Sequence, residues 1–365
     1  MRLVATKTVE TGAILGKPIL NEKGQILLNE GVKLGDLVIT RLLNLGIHFI
    51  YIKDKNTENI VITENISEKL RKEAILTIES TFLEISNVSQ NDLTFIMEKS
   101  SKSFRGLIRK LLDELKSNPN LLTLLSDVYT YDNYIFTHSL NVTMYTLALG
   151  LELELSVKEL EMLGLGAILH DVGKIKIPEE ILFKPGRLTE EEYEKVKMHT
   201  EDGYHILKKV QTLPLLVAHC AYQHHERLNG SGYPRGIGGE DIHLYGKIIA
   251  VADVFDAVTS NRVYRNAMLP HEGLEILYAG SGDLFDPKIV EAFRKAIAIY
   301  PNGLTVELSD GRKGVVSKQN VGLSDRPIIR ILEEQGKPIL DTYELDLKSE
   351  LSLIITKCDT TMKKE

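Results

Sequence analysis

The chain contains few cysteines, and their placement excludes two classes of protein. Cys220 and Cys358 are its only cysteines, they lie far apart, and neither belongs to a Cys-x-x-Cys pair. Zinc ribbons and dithiol oxidoreductases depend on such pairs. We therefore expect two plain thiols, buried or half-buried as free cysteines usually are.

Long apolar runs and an excess of positive charge are also missing. No stretch reaches the roughly 18 apolar residues of a membrane-spanning helix, and the start from Met1 to Lys7 lacks the apolar core of a signal peptide. We expect a cytoplasmic protein with no membrane partner. The net charge of −7 argues against binding a nucleic-acid polymer, which needs a basic surface. An anionic ligand is compatible with this charge where metals and local cations supply a positive field.

The length of 365 residues exceeds what one core usually holds, so we expect a main domain with smaller attachments. Residues 1–55 alternate short apolar runs with turn residues, which predicts a small N-terminal α/β accessory or sensory module. In it we expect a helix capped by Asp36 and a strand over Phe49–Ile52. Apolar residues at every fourth position then predict a helical linker region over residues 56–120.

The helical pattern continues through a main all-α domain over residues 121–300 and then changes. Residues 301–365 predict a small β-rich C-terminal domain, with a hairpin turn at Asp310-Gly311. Pro327 predicts that the strand after it is an edge strand. The fold class is therefore mainly α, with small N-terminal α/β and C-terminal β-rich appendages.

Histidines and carboxylates collect between Ile168 and Arg265. His170 and Asp171 follow an apolar helical run, where a buried carboxylate is costly without positive compensation. A metal ion would compensate it, since imidazole nitrogen and carboxylate oxygen suit iron, manganese, zinc or nickel. The alternative is that His170 caps the helix and Asp171 forms a salt bridge.

The adjacent pair His224 and His225 adds to this pattern. Neighbouring residues on a helix point about 100° apart, so both can hold one ion only where the helix ends, as the stretch Gly230 to Pro234 indicates. The alternative is a solvated polar helix end. No His-Glu-x-x-His occurs, so a metal would have to be gathered from several helices.

Three cations, Lys174, Arg262 and Arg265, accompany these candidate ligands. Cations beside a metal site make sense when an anionic ligand such as a phosphate lies between them. The alternative for each is ordinary surface charge.

These residues together resemble the HD-GYP family of cyclic di-GMP phosphodiesterases over about residues 130–295. The similarity is carried, in order along the chain, by His170-Asp171-Val172-Gly173-Lys174, His199, His224-His225-Glu226-Arg227, Asn229 to Pro234, Asp253 to Ala257, Thr259-Ser260 and Arg262. The resemblance implies an HD-type helical bundle. It also implies a first divalent metal held by His138, His170, Asp171 and Asp253, and a second held by His199, His224 and His225, with Asp171 bridging both. Iron or manganese is expected, with zinc or nickel as alternatives.

The resemblance also assigns the substrate contacts. It implies that Lys174, Asp256, Arg262 and Arg265 contact the substrate, and that the loop Gly232, Tyr233 and Pro234 serves substrate binding and docking with diguanylate cyclase domains. His205 and His219 match no family position, so we interpret them as helix-face residues. A homodimer is an arrangement that the sequence leaves open.

The implied reaction opens one 3′,5′-phosphodiester bond of cyclic di-GMP to give linear pGpG, by a hydroxide shared between the metals. Lys174 and the metals would stabilise the growing negative charge. Family members with a third metal carry Glu where this chain has Tyr134, so we expect two ions and pGpG as the product. The alternatives are another cyclic dinucleotide, or a non-catalytic sensor or docking module; the complete ligand set favours catalysis.

Overall fold

The computed structural model describes residues 1–362 except 21–24, 63–65, 87–89, 118–133, 185 and 261–266, and only the backbone of 90–94 and 134. Strands β1 (Arg2–Ala5) and β4 (Phe49–Ile52) form an antiparallel pair, and β2 (Ile19–Leu20) pairs with β3 (Ile26–Leu28). The predicted strand over Phe49–Ile52 is thus present. Helix α1 (Asp36–Asn44) begins at Asp36, and Gly35 rather than Asp36 is its N-cap residue.

The middle of the chain is helical. The helices are α2 (Glu68–Ser86), α3 (Gln90–Ser117), α4 (Tyr134–Glu152), α5 (Val157–Leu169), α6 (Glu179–Leu182), α7 (Glu190–Lys197), α8 (His199–Leu207), α9 (Leu215–Gln223), α10 (Leu244–Thr259), α11 (Pro270–Ala279) and α12 (Pro287–Ala296). A capping box fixes the start of α5, because Ser156 and Glu159 each bind the other's backbone N–H. These helices confirm the predicted mainly α fold class.

One hydrophobic core joins all of these helices from α2 to α12 except the short α6 and the polar α7. Helices α2 and α3, expected as a linker region, place their apolar faces in this core; Phe82, for example, is fully buried and packs edge-on against Phe136. Helices α4, α5, α9 and α10 lie next to one another around its centre. The polar ends of this group of helices carry the residues described below.

The C-terminal residues form one antiparallel sheet with the order β8-β7-β6-β5-β9. Its strands are β5 (Thr305–Leu308), β6 (Lys313–Lys318), β7 (Ile328–Glu334), β8 (Lys337–Asp346) and β9 (Ile355–Asp359). The predicted hairpin joins β5 to β6, with Gly311 at φ +86°. The edge-strand prediction for β7 is wrong, since β7 lies between β6 and β8. Pro327 precedes the first residue of β7, so its missing N–H takes no place in the ladder.

The two appendages pack against each other. Leu3 N–H donates to the Gly303 carbonyl (2.8 Å) and Ala5 N–H to the Thr360 carbonyl (2.7 Å). The side chains of Leu3 and Tyr51 belong to the same apolar cluster as strands β5 to β7. Among the described helices, none combines the length and the apolar character needed to cross a membrane.

Candidate metal centre

The predicted metal ligands come from the ends and centres of five helices and meet in one place. His138 lies in α4, His170 and Asp171 follow α5, and His199 opens α8. Further along the chain, His224 and His225 follow α9, and Asp253 lies in α10. Every one of these residues is buried except His225, which is partly covered.

The Asp171 carboxylate lies at the centre of this cluster. Its Oδ2 is 3.4 Å from His138 Nε2 and 3.3 Å from His170 Nε2. Its Oδ1 is 3.3 Å from His199 Nε2 and 3.7 Å from His224 Nε2. Each oxygen therefore faces a different pair of imidazoles, which is the arrangement of a carboxylate that bridges two ions.

Two groups of candidate ligands follow from these distances. His138, His170 and Asp171 have ligand atoms within 4.8 Å of one another, and so have His199, His224 and His225. Asp253 lies between the groups, with Oδ1 3.1 Å from His138 Nε2 and Oδ2 3.8 Å from His225 Nδ1. The sequence assigned Asp253 to the first group alone, whereas the structure places it beside a member of each.

Backbone carbonyls orient three of the imidazoles. The Nδ1 atoms of His170, His199 and His224 donate to carbonyls one turn earlier, at 2.7, 2.6 and 3.0 Å. This leaves each Nε2 unprotonated and directed at Asp171, as a metal ligand requires. Burial lowers the pKa of His224 and of His225 well below the usual value, which keeps both rings neutral.

The cluster has the chemistry of a divalent-metal site. His170 Nε2 and Asp171 Oδ1 are buried, and neither has a hydrogen-bond partner among the described residues. Buried polar atoms rarely lack a hydrogen-bond partner, and here both atoms belong to groups that bind metals. Burial opposes ionisation of Asp171, but His170 and Lys174 hold its pKa well below the usual value. The residues therefore fit divalent ions that accept nitrogen and oxygen ligands.

The 3-10 helix Val172–Lys176 places Lys174 beside this centre, with Nζ donating to Asp171 Oδ2. Its close approach to α8 requires the glycine between them. A Cβ on Gly173 would lie 2.0 Å from the His199 carbonyl oxygen and 2.6 Å from Gly203 N. The glycine in His170-Asp171-Val172-Gly173-Lys174 thus allows the segment that carries His170 to pack close to the start of α8, which carries His199.

The loop Gly232-Tyr233-Pro234 supports His225. The Tyr233 ring stacks on the His225 ring with centroids 4.6 Å apart, and Tyr233 N–H donates to the His225 carbonyl at 3.2 Å. A Cβ on Gly232 would lie 2.4 Å from that carbonyl oxygen, so the chain can pass there only as glycine. The buried Glu226 carboxylate accepts from the N–H groups of Arg235 and Ile237, at 2.9 and 3.1 Å.

The predicted substrate contacts have different positions in the structure. Asp256 is only 1% exposed and lies behind His138, away from the other carboxylates. Arg262 and Arg265 fall outside the described residues, as does the side chain of Tyr134. Lys174 and the loop at 232–234 border the cluster.

Other residues lie outside the cluster or were missed. His205 and His219 pack on Tyr204, with ring centroids 5.7 and 5.3 Å away. Both cysteines are free, Cys220 buried and Cys358 partly so, as expected. Arg227 was quoted as part of a motif but given no role; its guanidinium donates to the carbonyls of His224 and Glu226, at 3.1 and 2.9 Å. Its place directly after His224-His225-Glu226 was the available signal.

Comparison with known proteins gives two matching family models. Residues 109–289 match the HD domain, and residues 305–363 match the KOW domain associated with HD domains. A solved HDG"Y"P protein from Bdellovibrio bacteriovorus is similar at 17% identity and a TM-score of 0.46, covering 80% of this chain and 97% of that one.

Curated relatives are similar to part of the chain. A cyclic di-GMP phosphodiesterase of Pseudomonas aeruginosa is 39% identical over 214 residues, 58% of this chain and 51% of the relative. A cyclic di-GMP phosphodiesterase response regulator of Xanthomonas campestris pv. campestris is 47% identical over 148 residues, 40% of this chain and 39% of the relative. A cyclic di-GMP phosphodiesterase of Thermotoga maritima is 39% identical over 202 residues, 55% of this chain and 54% of the relative.

The chain thus spans about half the length, or less, of these curated relatives. The matched HD domain includes every residue of the two ligand groups, together with Lys174 and the loop at 232–234. The HD-domain match agrees with the motifs of the sequence, since the residues by which the chain resembles the HD-GYP family lie within the matched domain.

Proposed function

We propose that this protein hydrolyses cyclic di-GMP, opening one 3′,5′-phosphodiester bond to give linear pGpG. The observation that carries the proposal is the Asp171 carboxylate, which faces two histidine pairs at 3.3–3.7 Å. Two-metal phosphodiesterases use such a bridging ligand to hold their ions about 3.5–4 Å apart. Three relatives at 39–47% identity that carry the name cyclic di-GMP phosphodiesterase support the choice of substrate.

His138, His170, Asp171 and Asp253 would hold one divalent ion, and His199, His224 and His225 the other. Bound there, iron or manganese would supply an activated water and neutralise phosphoryl charge. In the reaction, a P–O bond to the water oxygen forms and the P–O3′ bond breaks; one proton of the water ends on O3′, and the other stays on the new 5′-phosphate or is released to solvent. Lys174 lies at the bridging carboxylate, where its ammonium would stabilise negative charge on the phosphoryl oxygens.

Substrate contacts would extend from this centre. We assign Arg262 and Arg265 to the phosphates, because an arginine fork matches phosphate oxygens. The loop at 232–234 would border the substrate on the side of His225, on which Tyr233 stacks. Docking of a cyclase domain would use the exposed residues on either side of this loop, Ser231, Arg235 and Gly236, since Tyr233 is turned inward.

A second candidate substrate is 3′3′-cGAMP. Two proteins of Vibrio cholerae named 3′3′-cGAMP-specific phosphodiesterases are 38% identical over 172 residues and 44% identical over 144 residues. These identities are close to the 39–47% of the cyclic di-GMP relatives. The ligand cluster acts on the phosphodiester, which both substrates share, so base recognition must separate them.

The test is a product assay on the full chain, purified without oxygen and loaded with Fe²⁺ or Mn²⁺. Cyclic di-GMP, 3′3′-cGAMP and cyclic di-AMP are offered separately, and products are identified by chromatography and mass spectrometry. We expect pGpG from cyclic di-GMP as the fastest reaction. His199→Ala should abolish it, whereas His205→Ala, on the same helix but outside the cluster, should retain it. Metal-loaded protein that binds cyclic di-GMP without turnover would refute the proposal and make the chain a sensor.

A further inference from the structure

We propose that Asp256 is a positioning residue that fixes the His138 imidazole for metal binding and makes no contact with substrate. The proposal rests on the proposed function only for its kinetic test. It replaces the expectation from the family resemblance that Asp256 contacts the substrate. Three observations on helices α4 and α10 support it.

The first observation is the orientation of the His138 ring. His138 Nδ1 donates to Asp256 Oδ2 at 2.7 Å, while its Nε2 points the other way, 3.1 Å from Asp253 Oδ1 and 3.4 Å from Asp171 Oδ2. The ring therefore lies between an outer carboxylate and two inner ones. A carboxylate on the far nitrogen of a metal-binding imidazole fixes the tautomer and raises the basicity of the ligand.

The second observation is that His138 differs from the other histidines of the cluster. His170, His199 and His224 stand at helix ends, and each donates to a backbone carbonyl one turn earlier. His138 lies inside α4, where the backbone carbonyls belong to the helix itself. A side chain from another helix has to take that role, and Asp256 on α10 takes it with the stronger, charge-assisted bond.

The third observation is that three of the roughly four acceptor positions of the Asp256 carboxylate are occupied. Asp256 Oδ1 accepts from Asn141 Nδ2 at 3.0 Å and from Ser260 Oγ at 2.9 Å, in addition to the bond from His138 to Oδ2. The residue is 1% exposed. A substrate hydroxyl or amine could reach the remaining position only by entering this closed space. Asn141, one turn after His138 on the same face of α4, ties the carboxylate to that helix.

The experiment compares Asp256→Asn and Asn141→Ala with the wild-type full chain, using Mn²⁺ as the probe. Mn²⁺ affinity is measured by calorimetry on chelator-treated protein, and kcat and KM are then measured at saturating metal. We expect Asp256→Asn to weaken binding of one Mn²⁺ by about 10–100-fold, the usual effect of losing such a partner, with KM unchanged. Asn141→Ala should shift the affinity in the same direction by a smaller factor. Asp325→Asn, a carboxylate of the C-terminal region paired with Arg294, is the control and should bind as wild type.

Wild-type Mn²⁺ affinity combined with a raised KM in Asp256→Asn would overturn the proposal and restore the substrate contact. If Asp256→Asn does not fold, judged by its thermal melt, Asn141→Ala and Ser260→Ala decide: Mn²⁺ affinity unchanged in both would also overturn it. The affinity measurement needs no turnover, so a failure of the proposed phosphodiesterase activity would be seen separately, as absent product in the wild type.

Discussion

Replacing Asp171 with asparagine should remove both bound metals rather than one. The substitution keeps the size of the side chain but removes its charge and turns one acceptor oxygen into a donor. Both carboxylate oxygens face imidazole nitrogens, Oδ2 at 3.3–3.4 Å and Oδ1 at 3.3–3.7 Å. The substitution therefore alters both groups of ligands. Loss of an outer partner already weakens metal binding by about 10–100-fold. Loss of the shared inner ligand should cost more than ~100-fold in each group, which is about 2.7 kcal/mol each.

The assay is metal counting by mass spectrometry on protein loaded with Mn²⁺ and then dialysed against a weak chelator. The wild type should retain two ions per chain and Asp171→Asn fewer than one. His224→Ala removes a ligand from one group only, so it should retain about one ion. Asp202→Asn, which alters a partly exposed carboxylate paired with Lys176, is the control for charge. Two ions retained in Asp171→Asn would show that this carboxylate does not bridge.

Three further predictions concern residues around the cluster. Lys174→Ala should keep both metals and lower kcat by about 10²–10³, the effect of removing one electrostatic donor; an unchanged kcat would return Lys174 to a purely structural salt bridge. Gly232→Ala should lower the melting temperature and lose one ion, because its Cβ would press on the carbonyl of His225, whereas Gly106→Ala meets no atom within 4 Å and should do neither. Burial lowers the pKa of His271, so its contribution to the free energy of unfolding is lost as pH falls below its unfolded value near 6.5. His271→Gln should therefore make the melting temperature depend less on pH between about pH 7.5 and pH 5.5. The same change of melting temperature with pH in the variant and the wild type would exclude that contribution.

The sequence predicted much of this arrangement because its signals are local. Adjacent residues such as His170-Asp171 and His224-His225 mark helix ends, and the strand over Phe49–Ile52 shows as a short apolar run. Contacts between distant segments leave no such signal. Ala5 pairs with Thr360 through their backbones, so no residue pattern predicts that the two appendages pack together.

Asp253 and Asp256 show a limit of a different kind. They lie three residues apart on α10, and residues at this spacing share one helix face. Spacing alone therefore gives them the same role. The structure separates them because α4 crosses that face: His138 inserts between the two carboxylates, with Nε2 toward Asp253 and Nδ1 on Asp256. Which carboxylate lies inside the cluster depends on the packing of two helices, which one sequence does not specify.

Charge decides whether this acidic protein can bind the anionic substrate proposed for it. Three carboxylates and one lysine lie in or beside the ligand cluster, and the negative charge of the buried Glu226 raises the pKa of the adjacent Arg227 against the effect of burial. The three are Asp171, Asp253 and Asp256. Since burial keeps His224 and His225 neutral, the cluster repels a cyclic dinucleotide, which carries two negative phosphates.

Two divalent ions held in the cluster would reverse that sign and attract the phosphates. Binding of cyclic di-GMP should therefore require metal. In calorimetric titrations, chelator-treated protein should give no measurable binding, and protein loaded with Mn²⁺ should bind. Asp325→Asn, which alters a carboxylate outside the cluster, should respond to metal as the wild type does, because this exposed carboxylate is paired with Arg294 and screened by solvent. Equal affinity with and without Mn²⁺ would show that other cations bind the phosphates, with the arginines at 262 and 265 as the first to replace.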